Sequence, residues 1–108
     1  MKITAVRAHV LRLPKVSAIC EGTQDTCLIQ IETDSGIIGW GEVDSCPSVV
    51  KAVVEAPLSH QICNGLANAL MGADPLAVEA CMARMDAAAN YYGRVGVGAH
   101  AMAGINQA

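Results

Sequence analysis

The apolar residues of this chain change their spacing once, at Pro47, and that switch limits the folds open to it. Before it, β-branched residues alternate with polar ones. After it, Val49, Val50, Val53 and Val54 recur at helical spacing. Strands that all precede the helices, rather than interleaving with them, indicate an α+β domain.

Residues 2 to 13 predict a long first strand whose alternation sets Ile3, Ala5, Leu11 and Leu13 on one side. Pro14 has no N–H for a ladder, and Lys15 to Asp25 includes Ser17, Glu21, Gly22, Thr23 and Gln24, so the chain leaves the sheet as a loop. That loop is long for a plain hairpin, and loops of such length often serve a surface function. Thr26 to Thr33 and Ile37 to Val43 predict two further strands joined by an Asp34-Ser35-Gly36 turn, which makes an antiparallel meander. Gly39 and Gly41 flank Trp40 and clear one face of the third strand for close approach of another backbone or helix; Trp40 itself reads as a packing anchor.

In the helical half, two short helices are expected from Pro47 to Pro57 and from Ile62 to Met71, the second closed by Gly72. Asp74-Pro75 signals the start of a third, with Leu76, Ala80, Ala83 and Ala87 on one stripe and Met82, Met85 and Ala89 beside it, ending near Tyr91 to Gly93. The last segment sets Val95, Ala99, Met102 and Ile105 or Asn106 on one face and keeps the rest narrow with Gly96, Gly98, Ala101, Ala103 and Gly104. Its pattern runs into Ala108 without a closing cap, so residues 1–108 are expected to be one domain cut at its boundary.

Apolar residues form 53% of the chain and charged ones 16%, which leaves few polar side chains to cover the outside and implies that part of the surface expects a cover. The net charge is -3 and the seven Lys and Arg are scattered, which argues against nucleic acid as a partner. Lys2, Arg7 and Arg12 interrupt any secretory signal and no run reaches membrane-spanning length, so no membrane is expected and the location is expected to be cytoplasmic. The five cysteines are odd in number, with no paired spacing; reduced, mostly buried thiols are preferred over a Cys20–Cys27 bridge. His9, His60 and His100 form no evident ligand set, and no metal is assigned to the chain. Met82, Met85 and Met102 read as gap-filling core residues.

The segment from Leu28 to Glu42, with its Thr33-Asp-Ser-Gly36 turn before Gly39-Trp-Gly-Glu42, resembles the second and third strands of the mandelate racemase and muconate lactonizing group of the enolase superfamily. The opening Met-Lys-Ile-Thr, Gly72-Ala-Asp-Pro75 and the closing Ala-rich helix with Gln107-Ala108 resemble that group in the same order. The resemblance implies an enolase N-terminal-like capping domain, a three-stranded antiparallel β-meander followed by a small helical bundle, with the catalytic TIM-like barrel absent from this chain. Family members abstract the proton α to a carboxylate and stabilise the enediolate on Mg²⁺, with Lys or His bases and carboxylate metal ligands carried by the barrel. No catalytic residue is therefore assigned here, and the chain alone is expected to be inactive.

What the resemblance assigns to the capping domain is a lid. Its first loop corresponds to Pro14 to Asp25 and its second to Asp44 to Ser48, which makes Val16, Ile19 and Glu21 the candidate substrate neighbours. Glu21 either reads a substrate hydroxyl or ammonium group or is solvated; Glu42 is expected to be structural. The implied partners are the chain's own barrel and a carboxylate substrate, with a homo-oligomer open. The small, polar first loop favours an acid-sugar dehydratase over a racemase or cycloisomerase. The alternative reading is a stand-alone dimeric α+β binding or regulatory module.

Overall fold

Three strands pair in chain order: β1 (Ile3–Arg12), β2 (Asp25–Thr33) and β3 (Ile38–Val43), all antiparallel. The structure is a computed structural model that describes residues 1–20 and 22–108. The β2–β3 turn is the expected one, with Gly36 at φ 82° and its N–H donating to the Thr33 carbonyl. The side of β1 that faces inward differs from the expectation. Ile3, Val6 and Ala8 are buried, whereas Leu11 and Leu13 are exposed. The pairing register shifts between Ile3 and Ala5, and one irregular residue there transfers every later side chain of β1 to the other face.

Four helices follow: α1 (Pro47–Glu55), α2 (Leu66–Leu70), α3 (Val78–Ala88) and α4 (Val97–Gln107). α2 is shorter than expected because the chain first makes a tight turn, in which His60 and Cys63 pair backbone to backbone. α3 begins at Val78 rather than at Pro75. Asp74 Oδ1 accepts the Leu76 N–H at 3.0 Å and the Asp74 carbonyl accepts the Ala77 N–H at 3.0 Å, so Asp74-Pro75 is used in a turn one step before the helix. The buried side of α3 is accordingly Cys81, Met85 and Ala88, and the expected Leu76, Ala80, Ala83, Ala87 stripe is exposed.

The core lies between one face of the sheet and the helices. Ile29, Leu66, Leu70, Met85, Val50, Val54 and Cys27 are its largest fully buried side chains. Met102 is also buried and Met82 partly so, as a gap-filling role requires. α4 turns Gly98, Ala101, Met102, Gly104 and Ile105 inward, while Val95, expected on that face, precedes the helix and is exposed. The glycines of β3 receive α4: a Cβ on Gly39 would collide with the carbonyl oxygen of Ala108, and one on Gly41 with that of Gly104. Trp40, between them, points to the other face and is 53% exposed, so it is not a packing anchor; its indole lies 5.8 Å, centroid to centroid, from the His9 ring.

No helix among the described residues is long and apolar enough to cross a membrane. All five cysteines are free, and burial divides them: Cys27 and Cys81 are buried, Cys63 is half-buried, and Cys20 and Cys46 are exposed.

Candidate functional site

The two loops expected to form a lid leave the same end of the sheet. β1 ends at Arg12, β2 begins at Asp25 and β3 ends at Val43, so the 13–24 connection and the 44–46 segment both start there. A surface groove of about 530 Å³ runs between Leu11 to Leu13, Gly22 to Thr26, Glu42 and Asp44. A second, of about 380 Å³, lies between Glu42 to Ser45 and His100, Ala103 and Gln107 of α4. Glu42 and Asp44 line both, which makes the end of β3 the floor shared by the two loops.

Local hydrogen bonds shape this floor. Thr26 Oγ1 donates to Glu42 Oε1 at 2.8 Å, and the Glu42 N–H donates to Gln107 Oε1 at 3.2 Å, which joins β2, β3 and α4 at one point. Glu42 is therefore tied to β2 through its carboxylate and to α4 through its backbone N–H. The first loop is tied at its base, where the Leu13 N–H donates to the Gln24 carbonyl at 2.9 Å. It is tied again by the Gln24 side chain, which accepts from the Ser17 N–H at 2.7 Å and donates to the Ser17 carbonyl at 3.1 Å.

Of the sequence-predicted site residues, Val16 and Ile19 both lie on this loop and are exposed, Ile19 by 63%. Glu21 lies outside the described residues. Neither Val16 nor Ile19 lines either groove. Val16 and Ile19 thus lie in solvent outside both grooves.

The second loop ends in an unusual backbone. Cys46 caps α1 in the left-handed region, φ 48° and ψ 58°, and is the one non-glycine residue with positive φ among those described. Its carbonyl accepts the first helical bonds, from Val49 and Val50 at 2.9 and 3.0 Å, and Pro47 fills the first helical position, where no N–H is needed.

The sequence reading missed Lys51 and Glu55. Their side chains clasp both backbone groups of Ala8 and pair with each other at 2.7 Å. In the sequence they are a Lys–Glu pair one helical turn apart, a signal shared by countless solvated helix faces.

The most apolar cavity, about 220 Å³, is at the opposite end of the sheet, among Ile3, Ile31, Ile37, Leu76 and Met85. Among the described residues, Cys81 is the one titratable side chain on its wall, buried with its thiol donating to the Asp74 carbonyl at 3.3 Å, so the loop end carries the candidate site. No cluster of three or more His, Cys, Asp or Glu side chains among the described residues could hold a metal ion. The described residues do not fit Mg²⁺.

Residues 2–108 match the model of the mandelate racemase / muconate lactonizing enzyme N-terminal domain. The chain belongs to this family. It is an N-terminal capping domain of the enolase superfamily, whose members are typically Mg²⁺-dependent. The capping domain is 32% identical over 91 residues to an N-succinyl-L-Arg/Lys racemase from Bacillus cereus, a match over 80% of this chain and 24% of the racemase. Among solved structures it superposes on a predicted mandelate racemase from Rhodobacter sphaeroides with a TM-score of 0.82 and 27% identity, over 97% of this chain and 27% of that one. A mandelate racemase/muconate lactonizing enzyme-like protein from Rubrobacter xylanophilus gives 0.71 and 27% identity, over 98% and 28%. The capping domain thus spans about a quarter of the length of these relatives.

Proposed function

We propose that this capping domain is the lid and specificity element of a racemase or isomerase that removes the proton α to a carboxylate, with the bases and the Mg²⁺ ligands supplied by a barrel domain outside this chain. The observation that carries the reading is the convergence of both loops on the Glu42–Asp44 floor. A domain built so presents two adjustable segments at one edge, where they can exclude water and contact a substrate held by another domain. Val16, Ile19 and Glu21 are the proposed substrate-facing residues of the first loop.

Racemization of an N-acylated amino acid is supported by the likeness to the Bacillus cereus N-succinyl-L-Arg/Lys racemase. Acid-sugar dehydration is supported only by the small, polar composition of the first loop, and none of the relatives named above is called a dehydratase. We therefore set the reading at racemase or isomerase.

The test is to replace the corresponding loop of the Bacillus cereus racemase with Pro14–Asp25 of this chain and assay the chimera with Mg²⁺ against N-succinyl amino acids, other N-acyl amino acids and sugar acids. The ratio of kcat/KM values between substrates is expected to change while turnover of the best substrate persists. An active chimera with its original ratios would remove the specificity role from this loop.

A further inference from the structure

β1 is an edge strand, so its outer backbone groups face no neighbouring strand. At Ile3 they are met by the chain itself: the Ile3 N–H donates to the Ala73 carbonyl and the Ile3 carbonyl accepts the Gly72 N–H, both at 2.9 Å. At Ala8 they are met by side chains. The Ala8 N–H donates to Glu55 Oε1 at 2.8 Å, and Lys51 Nζ donates to the Ala8 carbonyl at 2.6 Å. Glu55 Oε2 and Lys51 Nζ close the triangle at 2.7 Å. One ion pair on α1 thus does for Ala8 what a fourth strand would do.

A Lys–Glu pair on a helix surface usually contributes little, because water solvates both groups as well as they solvate each other. This pair differs in what it holds. Each head group satisfies a part-buried backbone atom, and removing either leaves an N–H or a C=O without its partner. The elements it joins are also particular. β1 runs directly into the first loop, and α1 follows directly on Cys46, the end of the second.

We propose that Lys51 and Glu55 are positioning residues of the lid, which fix α1 against β1 at Ala8 and so hold the 13–24 loop and the 44–46 segment in one relation across their shared floor. The inference rests on the reading of those segments as a lid. Its mechanical content is independent of any substrate. Two loops already set relative to one another lose less freedom when they close on a ligand than two that move separately.

The experiment is residue-resolved hydrogen exchange on this chain and on its K51M, E55Q and K51R variants, with site-resolved thiol labelling of Cys46 as a second reporter. In E55Q the Ala8 amide is expected to exchange about tenfold faster, as replacement of a charge-assisted hydrogen bond by a neutral one implies. The Ser17 amide of the first loop and the Cys46 thiol of the second should accelerate together. K51M should do the same at both loops, K51R should restore the parent rates, and amides of α3 and α4 should stay unchanged throughout. Acceleration at Ala8 alone or at one loop only would overturn the coupling, and so would a uniform rise reaching α3 and α4, since that marks plain loss of stability. If both loops respond but the loop transplant leaves substrate preference unchanged, the clasp stands and the lid reading fails.

Discussion

The carbonyl oxygen of Gly104 in α4 stands where a Cβ on Gly41 of β3 would have to be. The same contact read from the other side has a Cβ on Gly104 colliding with Val43 Cγ2 and lying 3.3 Å from Ile29 Cγ1. Val43 is buried and β-branched, so it has little freedom to yield. Gly41→Ala should therefore lower stability by about 2–3 kcal/mol through overpacking. Gly104→Ala sets that cost against a helix-propensity gain of about 1 kcal/mol and should still be destabilising. Ala103→Gly, on the exposed side of the same helix, should cost about 1 kcal/mol from propensity alone. Urea midpoints at unchanged slope report all three; an unaltered midpoint for Gly41→Ala would mean that α4 does not lie this close to β3.

Trp40 and Ile29 make a second contrast, because the larger side chain is the less buried. Ile29 is fully buried, and Ile29→Ala should cost about 2–5 kcal/mol. Trp40→Ala, at a side chain more than half in water, should cost no more than about 0.5 kcal/mol. Trp40 is the chain's single tryptophan, so its fluorescence in the folded state should be quenched readily by iodide. A protected indole would place another surface over this face of the sheet.

Thiol chemistry offers a third check. Cys20 and Cys46 should react first, Cys63 more slowly, and Cys27 and Cys81 only on unfolding. Burial is the main cause that pushes the Cys27 thiol up, which keeps it protonated and unreactive. At Cys46 the backbone adds its own prediction. A left-handed conformation costs a side-chain-bearing residue about 1–2 kcal/mol that glycine avoids, and glycine's greater freedom in the unfolded chain returns part of this. Cys46→Gly should raise stability by about 0.5–1 kcal/mol, and a loss instead would mean that the thiol makes an interaction the geometry does not reveal.

What could be read from the sequence was what the backbone itself demands. Gly36 at a positive φ and Gly39 and Gly41 under α4 admit few alternatives, and so the meander, its turn and the close helix were legible. What misled was any signal with two local solutions. Asp74-Pro75 suits a helix start and a turn equally, and the turn is the one adopted. Strict alternation in β1 assumed an unbroken register, and one irregularity near Ala5 put Leu11 and Leu13 in water. Trp40 showed the remaining gap: hydrophobicity says that a residue can be buried, not which face of a strand it occupies. The clasp at Ala8 was out of reach for the same reason, since its meaning depends on an edge strand far away in the chain.

The clasp also predicts how stability depends on pH. Burial alone would raise the Glu55 carboxyl. The hydrogen bonds from Lys51 and the Ala8 N–H, with the charges of Lys51 and His9, outweigh burial and hold it below the usual carboxylate value. The groups facing it are Lys51 on its own helix, Ala8 and His9 on β1, and Cys27 on β2, whose raised thiol stays neutral through the acid range. A depressed folded-state pKa means that the native chain binds its proton less readily than the unfolded chain. The stabilisation from Glu55 is then fully present above the unfolded carboxylate value of about 4.3 and is lost as pH falls through the folded value. About a third of the side chain remains in water, so solvent screening keeps the effect modest. Subtracting the E55Q stability profile from that of the parent chain isolates it: the difference should be level from neutral pH down to about 5 and should shrink below that. A difference that stayed constant into strong acid would show that Glu55 holds Ala8 equally well without its charge, and the ionic part of the clasp would fall.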